Sequence, residues 1–334
     1  MLFNFIVKKN ITISITGAAG QIGHALIPRL ASGAIFGPDQ PISLRLIEIE
    51  SGMKPLEGIV MELHDSAFHL LESIEVTSDP NIGFQGANWA FLLGSAPRTA
   101  GMERKELLHI NGKIFVTQGQ AIAKNAASDV RILVVGNPAN TNCLIAMKNA
   151  PELPADRWHA MSRLDEDRAR AVLAHKAKCH SRDIKKVAIW GNHSSTLYPD
   201  FEHTLIAGQP APEVITDRAW LENDFITHVQ QRGSAVIQAR GLSSALSAAN
   251  AAIKTAQSIH EVTPDNNWHS VSIASDGSYG IDPGLISSFP TRSDGHSISI
   301  VQGLTFSAFA KKKLETTIQE LREEKAMIAD LLPR

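Results

Sequence analysis

The sequence predicts an α/β fold: a doubly wound parallel sheet over residues 1–155, followed by an α+β domain over residues 156–334. Three observations carry this expectation. β-type runs alternate with helical patterns through the first half. Two of those runs, Trp89-Ala90-Phe91-Leu92-Leu93 and Ile132-Leu133-Val134-Val135, are continuously apolar, as strands buried on both faces require. Beyond about Pro154 the alternation gives way to long small-residue helical stretches and short β-branched runs.

Taken in order, Ile11-Thr12-Ile13-Ser14-Ile15-Thr16 alternates and is β-branched, which predicts a strand. It runs into Gly17-Ala18-Ala19-Gly20-Gln21-Ile22-Gly23 and then an apolar helix over residues 24–30. A strand, a glycine turn and a helix together offer close backbone approach and free helix N–H groups to a phosphate. The G-x-x-G-x-x-G spacing is a variant of the dinucleotide-binding pattern, and alone it is also compatible with a purely structural turn. A second strand, residues 43–49, carries Glu48 near its end. An acidic group there holds ribose hydroxyls and repels a 2′-phosphate, which favours NAD over NADP.

Residues 56–71 repeat apolar side chains at helical spacing and predict one helix, with His64 and Asp65 as surface groups. The loop after Leu93 follows a buried strand, so it lies at the carboxyl edge of the sheet, where ligands bind. Arg98 and Arg104 lie in it with Pro97 before and Gly101 between, and read as a mobile lid that brings cations to an anion. Pro138 biases Asn137 toward extended backbone, so its amide projects from another strand end into the same cleft.

In the second half, Arg163 and Asp165 open a helix through residue 174. The β-type run Val187-Ala188-Ile189-Trp190 delivers Gly191-Asn192-His193-Ser194. With 13 His in the chain, one more means little by itself. An Asp behind it fixes the tautomer and favours the imidazolium, and an Arg beside the pair supplies a forked donor for a carboxylate. A helical region over residues 220–260 is expected to break at Gly233 and Gly241, and its Ser, Ala and Asn run at 243–252 suits close packing, Ser244 included. Residues 271–274 and 297–301 predict antiparallel strands, with a hairpin-type turn at 293–296. Residues 314–332 predict a last helix docked on the body.

The formal net charge of -2 speaks against a nucleic-acid or anionic-membrane partner. The 2 Cys, Cys143 and Cys179, form no CxxC pair, so neither a disulfide framework nor a metal site is expected. No run approaches the roughly 20 apolar residues of a membrane span, and the apolar start is too short for a signal segment. A soluble, cytoplasmic protein is the expectation.

Taken together, several motifs resemble the lactate/malate dehydrogenase superfamily, and within it the cytosolic-type malate dehydrogenases. They are residues 17–23, Met61-Glu62-Leu63, Gly101-Met102-Glu103-Arg104-Lys105, Gly136-Asn137-Pro138-Ala139-Asn140, Arg163-Leu164-Asp165, Gly191-Asn192-His193-Ser194 and Ser275-Asp276-Gly277-Ser278-Tyr279-Gly280. The resemblance covers nearly the whole chain. It implies a Rossmann-type NAD-binding domain followed by a catalytic domain, and reversible malate–oxaloacetate interconversion, a step of the tricarboxylic acid cycle. It implies that His193 is the acid/base with Asp165 as its partner. It further implies that Arg163 grips one substrate carboxylate, Arg98 the second, Asn137 the reacting oxygen, and that Arg104 polarises the carbonyl. The matching NAD positions are Gly17, Gly20, Gln21, Ile22, Gly23, Glu48, Asn111, Gln118 and Asn137. A homodimer is implied as well. Glu166-Asp167 stand where His-Asn is common, and these added carboxylates are expected to raise the His193 pKa. The competing readings are a dehydrogenase for another 2-keto acid, lactate-like, and an idle NAD-binding protein.

Overall fold

The computed structural model of the chain describes residues 8–96 and 103–333. Six strands are mutually parallel: β1 (Ile11–Thr16), β2 (Ile42–Ile47), β3 (Leu71–Thr77), β4 (Trp89–Leu92), β5 (Arg131–Val134) and β6 (Trp158–Ala160). They lie in the order β3-β2-β1-β4-β5-β6, the doubly wound arrangement whose order reverses beside β1. The connecting helices are α1 (Gln21–Ala31), α2 (Met53–Asp65), the single turn α3 (Pro80–Gly83), α4 (Arg104–Asn125) and α5 (Ala139–Lys148). Side chains alternate across the sheet, and both faces are covered. Ile13, Ile15, Trp89, Phe91 and Leu133 share a core with Leu26 of α1 and Leu56 of α2. Ala90, Leu92, Ile132 and Val134 share another with Phe115 of α4 and Ile145 of α5. That double burial is why β4 and β5 read as unbroken apolar runs.

The second half begins with α6 (Arg163–Ala177) and the short strands β7 (Ile184–Lys185), β8 (Ala188–Trp190), β9 (Tyr198–Asp200), β10 (Leu205–Ile206) and β11 (Gln209–Pro210). Then come the turns α7 (Ala211–Val214) and α8 (Arg218–Trp220), and the helices α9 (Ile226–Arg240) and α10 (Leu246–His260). Three strands, β12 (His269–Ala274), β13 (Ile286–Ser293) and β14 (Ile298–Ile300), precede the last long helix, α11 (Ala308–Met327). β8 and β9 pair by themselves, as do β7, β10 and β11, whereas β12–β14 join the parallel sheet. β12 pairs with β6 at Ser272–Ala160, and β13 and β14 follow, so the sheet runs on to nine strands.

Three expectations are corrected. The helix expected over residues 56–71 ends at Asp65; the chain turns through Ala67, at φ 48°, and Leu71 opens β3. Leu70 and Leu71 happen to continue the helical spacing, but the half-buried Ile74 and Val76 beyond them alternate with exposed neighbours and hold the outer edge beside β2. Gly233 does not interrupt α9, because a half-exposed helical glycine costs only about 1 kcal/mol. The break is at Gly241, whose φ of 76° stops the helix. The last helix starts earlier than expected, at Ala308, where Ser307 Oγ accepts from Ala310 N–H (3.1 Å), and ends at Met327. Among the described residues no helix is long and apolar enough to cross a membrane.

Candidate active site

The carboxyl ends of β1, β4 and β5 meet in a floor of bare backbone. Gly17 has φ 66°, and a Cβ on it would lie 2.7 Å from Gly94 Cα. A Cβ on Gly136 would lie 3.0 Å from Gly94 O. Gly23 lets α1 sit directly on the turn, since a Cβ there would meet Ala18 O at 2.3 Å. α1 has Gly20 as its N-cap, with extended backbone and no side chain capping the helix. The first turn, with Gln21, Ile22 and Gly23, thus presents backbone donors and the positive end of the helix dipole to an anion. Gln21 is exposed and its Oε1 accepts from Arg240 (3.0 Å), which ties the end of α9 to this turn.

Glu48 follows β2, and its carboxylate bridges to the glycine turn. Oε2 accepts from Ala19 N–H and Oε1 from Ile49 N–H, both at 3.0 Å. Each oxygen keeps acceptor capacity for a sugar hydroxyl. A backbone floor, an uncapped helix start and a fixed carboxylate suit a pyrophosphate and a ribose diol; a 2′-phosphate would meet the Glu48 charge. The donor set therefore fits a dinucleotide of the NAD type.

His193 is delivered by β8. Gly191, at φ 86°, pairs with Ser288 of β13 through hydrogen bonds of 3.2 and 2.9 Å, and the chain then turns toward α6. His193 Nδ1 donates to Asp165 Oδ2, and its backbone N–H donates to Asn140 Oδ1 (3.0 Å). Asp165 is fully buried in the first turn of α6, where the helix N-terminus favours a carboxylate. Burial alone would depress the His193 pKa. The Asp165 charge and hydrogen bond outweigh burial and the opposing Arg168, so the pKa is raised and the imidazolium persists to higher pH than usual.

Arg163 is not brought to this pair. It is buried, and its Nε contacts Asp167 (3.3 Å) and Glu166 (3.4 Å) while Nη1 reaches Ser258 (3.1 Å) and His269 Nδ1 (3.0 Å). His269 can accept because burial pushes its pKa down to about 4, leaving it neutral. The cation on Asp165 is Arg168, at 3.1 Å from Oδ1, with Nη2 3.4 Å from Ser244 Oγ. The reason is helix geometry: residues two apart point to different sides, whereas residues three apart share one. Asp165 and Arg168 at i and i+3 were the available sign. Glu166 and Asp167 are likewise taken up elsewhere. Glu166 accepts from Ser270 N–H (2.6 Å) and Arg170 (3.0 Å), and Asp167 from Lys254 (3.1 Å), and neither is among the charges that move His193.

Asn137 lies exposed between β5 and α5, three residues before the buried Asn140 that holds the His193 backbone. One short segment thus joins the cleft floor to the His193–Asp165 pair. Asn140 closes the Gly136–Asn140 motif, but nothing in the sequence singles out its hold on the His193 backbone. Asn111 is fully buried on α4, and its amide holds Ala96 of the loop after β4 through Oδ1 (2.7 Å) and Nδ2 (3.2 Å). Gln118 is buried on the same helix, and its Oε1 has no hydrogen-bond partner among the described residues. Arg98 lies outside the described residues, as does the side chain of Arg104, the first residue of α4.

Comparison with known proteins agrees with this geometry. Residues 11–157 match the NAD-binding domain of lactate/malate dehydrogenases, and residues 162–331 match the α/β C-terminal domain of the same family. A malate dehydrogenase from Naegleria fowleri is 45% identical over 98% of this chain and 100% of its own, with a TM-score of 0.94. A Trichomonas vaginalis lactate dehydrogenase, solved with NADH and oxamate, is 33% identical over 96% of this chain and 99% of its own, with a TM-score of 0.92. A malate dehydrogenase from Plasmodium falciparum, 19% identical with a TM-score of 0.82 over 97% of this chain and 100% of its own, shares the fold. With both halves matched in order and the NAD cleft and His–Asp pair in place, the chain belongs to the lactate/malate dehydrogenase family.

Proposed function

We propose that this chain is an NAD-dependent malate dehydrogenase, with residues 1–155 holding the dinucleotide and residues 156–334 the proton-transfer chemistry. The observation that carries the reading is the His193–Asp165–Arg168 constellation beside the NAD cleft. Gly17, Gly20, Gln21, Ile22 and Gly23 hold the pyrophosphate, and Glu48 the ribose; Gln118 and Asn111 act from α4, Asn111 by fixing Ala96. A bound nicotinamide would supply the hydride acceptor for malate or, when reduced, the hydride donor for oxaloacetate. His193 takes the hydroxyl proton in oxidation and returns it to the oxygen in reduction, and Asp165 stabilises the imidazolium. Arg168 binds the carboxylate next to the reacting carbon, the role the resemblance gave to Arg163. Asn137 and Arg104 serve the reacting oxygen.

The dicarboxylate preference rests on Arg98 and on the 45% identical relative being a malate dehydrogenase. NADH oxidation with oxaloacetate, run beside pyruvate and beside NADPH, tests it. The expected outcome is oxaloacetate-dependent loss of NADH with little for the other two. Turnover of pyruvate instead would leave a lactate-like enzyme, and NADH binding without any turnover an idle binding protein.

The reading includes a cytoplasmic homodimer. α6, α9 and α10 border a cavity of about 550 Å³ lined, besides the Arg168 that this reading reserves for substrate, by Arg170, Arg182, Arg232 and Lys254 against the single carboxylate of Asp167. α2 presents Met61, 64% exposed, among the exposed Glu57, Glu62 and Asp65. An acidic helix with an apolar centre suits this basic groove on a second copy, and a two-fold axis would use both pairs at once. Met61→Arg is expected to yield monomers in sedimentation; an unchanged dimer would exclude α2 from the interface.

A further inference from the structure

α11 turns a polar seam toward the segment that carries His193. Thr317, Glu320 and Glu324 lie at i, i+3 and i+7 on one side of the helix. Asn192 N–H donates to Thr317 Oγ1 (2.9 Å), and Asn192 Nδ2 reaches both Glu320 Oε2 (3.0 Å) and Glu324 Oε1 (3.1 Å). On the other flank of His193, Ser194 Oγ donates to Glu320, and Thr196 Oγ1 lies 2.6 Å from the same carboxylate. Glu324 also accepts from Thr141 of α5, the helix that carries Asn140. Asn192, Thr317 and Glu324 are all buried. The packing is tight: a Cβ on Gly191 would lie 2.0 Å from Thr317 Cγ2.

The residues before and after the acid/base are therefore tied to one helix, and its backbone N–H is tied to another. Buried charge-assisted hydrogen bonds are among the stronger and more directional polar contacts. Nothing in hydride or proton transfer needs two carboxylates behind the histidine; holding a loop at fixed distance from Asp165 does. We propose that Glu320 and Glu324 are positioning residues that act through Asn192 and Ser194 to keep the His193 ring on Asp165. The proposal rests on the reading of His193 as the proton carrier.

The test compares the full chain with Asn192→Ala and with Glu320→Gln, the latter at a half-buried position that leaves the apolar face of α11 intact. The readouts are steady-state kinetics with oxaloacetate and NADH, and an NMR titration of the His193 imidazole, assigned with His193→Asn. In Asn192→Ala, kcat is expected to fall on the order of tenfold with KM for NADH unchanged. The His193 midpoint is expected to move to lower pH as its contact with Asp165 loosens. Glu320→Gln should move both in the same direction, by less, and decides the matter if Asn192→Ala does not fold. A folded variant with an unmoved midpoint overturns the proposal. So does a kcat loss that comes with a matching KM rise and no shift in midpoint. A midpoint that shifts in a chain without turnover would retain the positioning role and reject the dehydrogenase reading. Turnover with an unmoved midpoint would do the reverse.

Discussion

The dinucleotide cleft and the His193–Asp165 pair are built from opposite materials. The cleft floor is backbone: Gly17, Gly94 and Gly136 touch with no side chain between them, and α1 starts without a side-chain cap. The His193–Asp165 pair and its surroundings are all side chain. Asp165 is fully buried, and His193, Arg168, Asn192, Glu320 and Glu324 converge from three elements. A backbone site needs only that nothing protrude, so it is specified locally. A side-chain site needs partners far apart in the chain, so it is specified by the whole fold.

The contrast is sharpened most by exchanging one residue in each region. His193→Asn should cut kcat by about 10³ and leave NADH binding unchanged, because it removes the proposed acid/base and nothing from the cleft. Gly17→Ala should weaken NADH binding about tenfold, since a left-handed backbone costs an alanine roughly 1–2 kcal/mol even before its contact with Gly94. Stopped-flow turnover beside NADH fluorescence titration separates the two effects. If each change damaged both properties equally, the division would fail.

The second test lies within the charged half. Arg168→Gln should raise KM for oxaloacetate by roughly 10- to 100-fold, the worth of a hydrogen bond to a charged group. Arg163→Gln should leave that KM unchanged and instead lower stability by about 3 kcal/mol, by breaking a buried ion pair with Glu166. Denaturant unfolding beside substrate titration distinguishes them, and a KM rise confined to Arg163→Gln would reverse the assignment.

The smallest expected effect is on pH dependence. The raised His193 pKa keeps the imidazolium populated above its usual range, so oxaloacetate reduction should persist there and fall only as pH rises through the raised value. Malate oxidation, which needs the neutral ring, should rise over that same interval. Asp165→Asn removes the charge responsible, so both limbs should move to lower pH in rate profiles. Limbs that stay fixed would locate the controlling group elsewhere.

Legibility in the sequence followed the same division. The β1–glycine–α1 unit, Glu48 and the buried strands β4 and β5 were readable because each depends on neighbours a few residues away. β3 was hidden because Leu70 and Leu71 extend the α2 spacing by accident. His193 and Asp165 are readable as residue types, yet the motif sets Arg163 beside Asp165 in sequence, whereas the helix face brings Arg168 to it. The ties from Asn192 to α11 span more than a hundred residues, and no local pattern in the sequence marks them.

The glycine floor also bears on how this scaffold diversifies. A surface made of main chain offers substitution nothing to adjust: a Cβ at Gly17 or Gly136 lands on a neighbouring strand end rather than on a ligand. A change of cofactor or substrate preference is therefore expected to come from the walls, at Glu48 or around Asn137 and Arg168, while the floor admits no side chain without moving a neighbouring strand end.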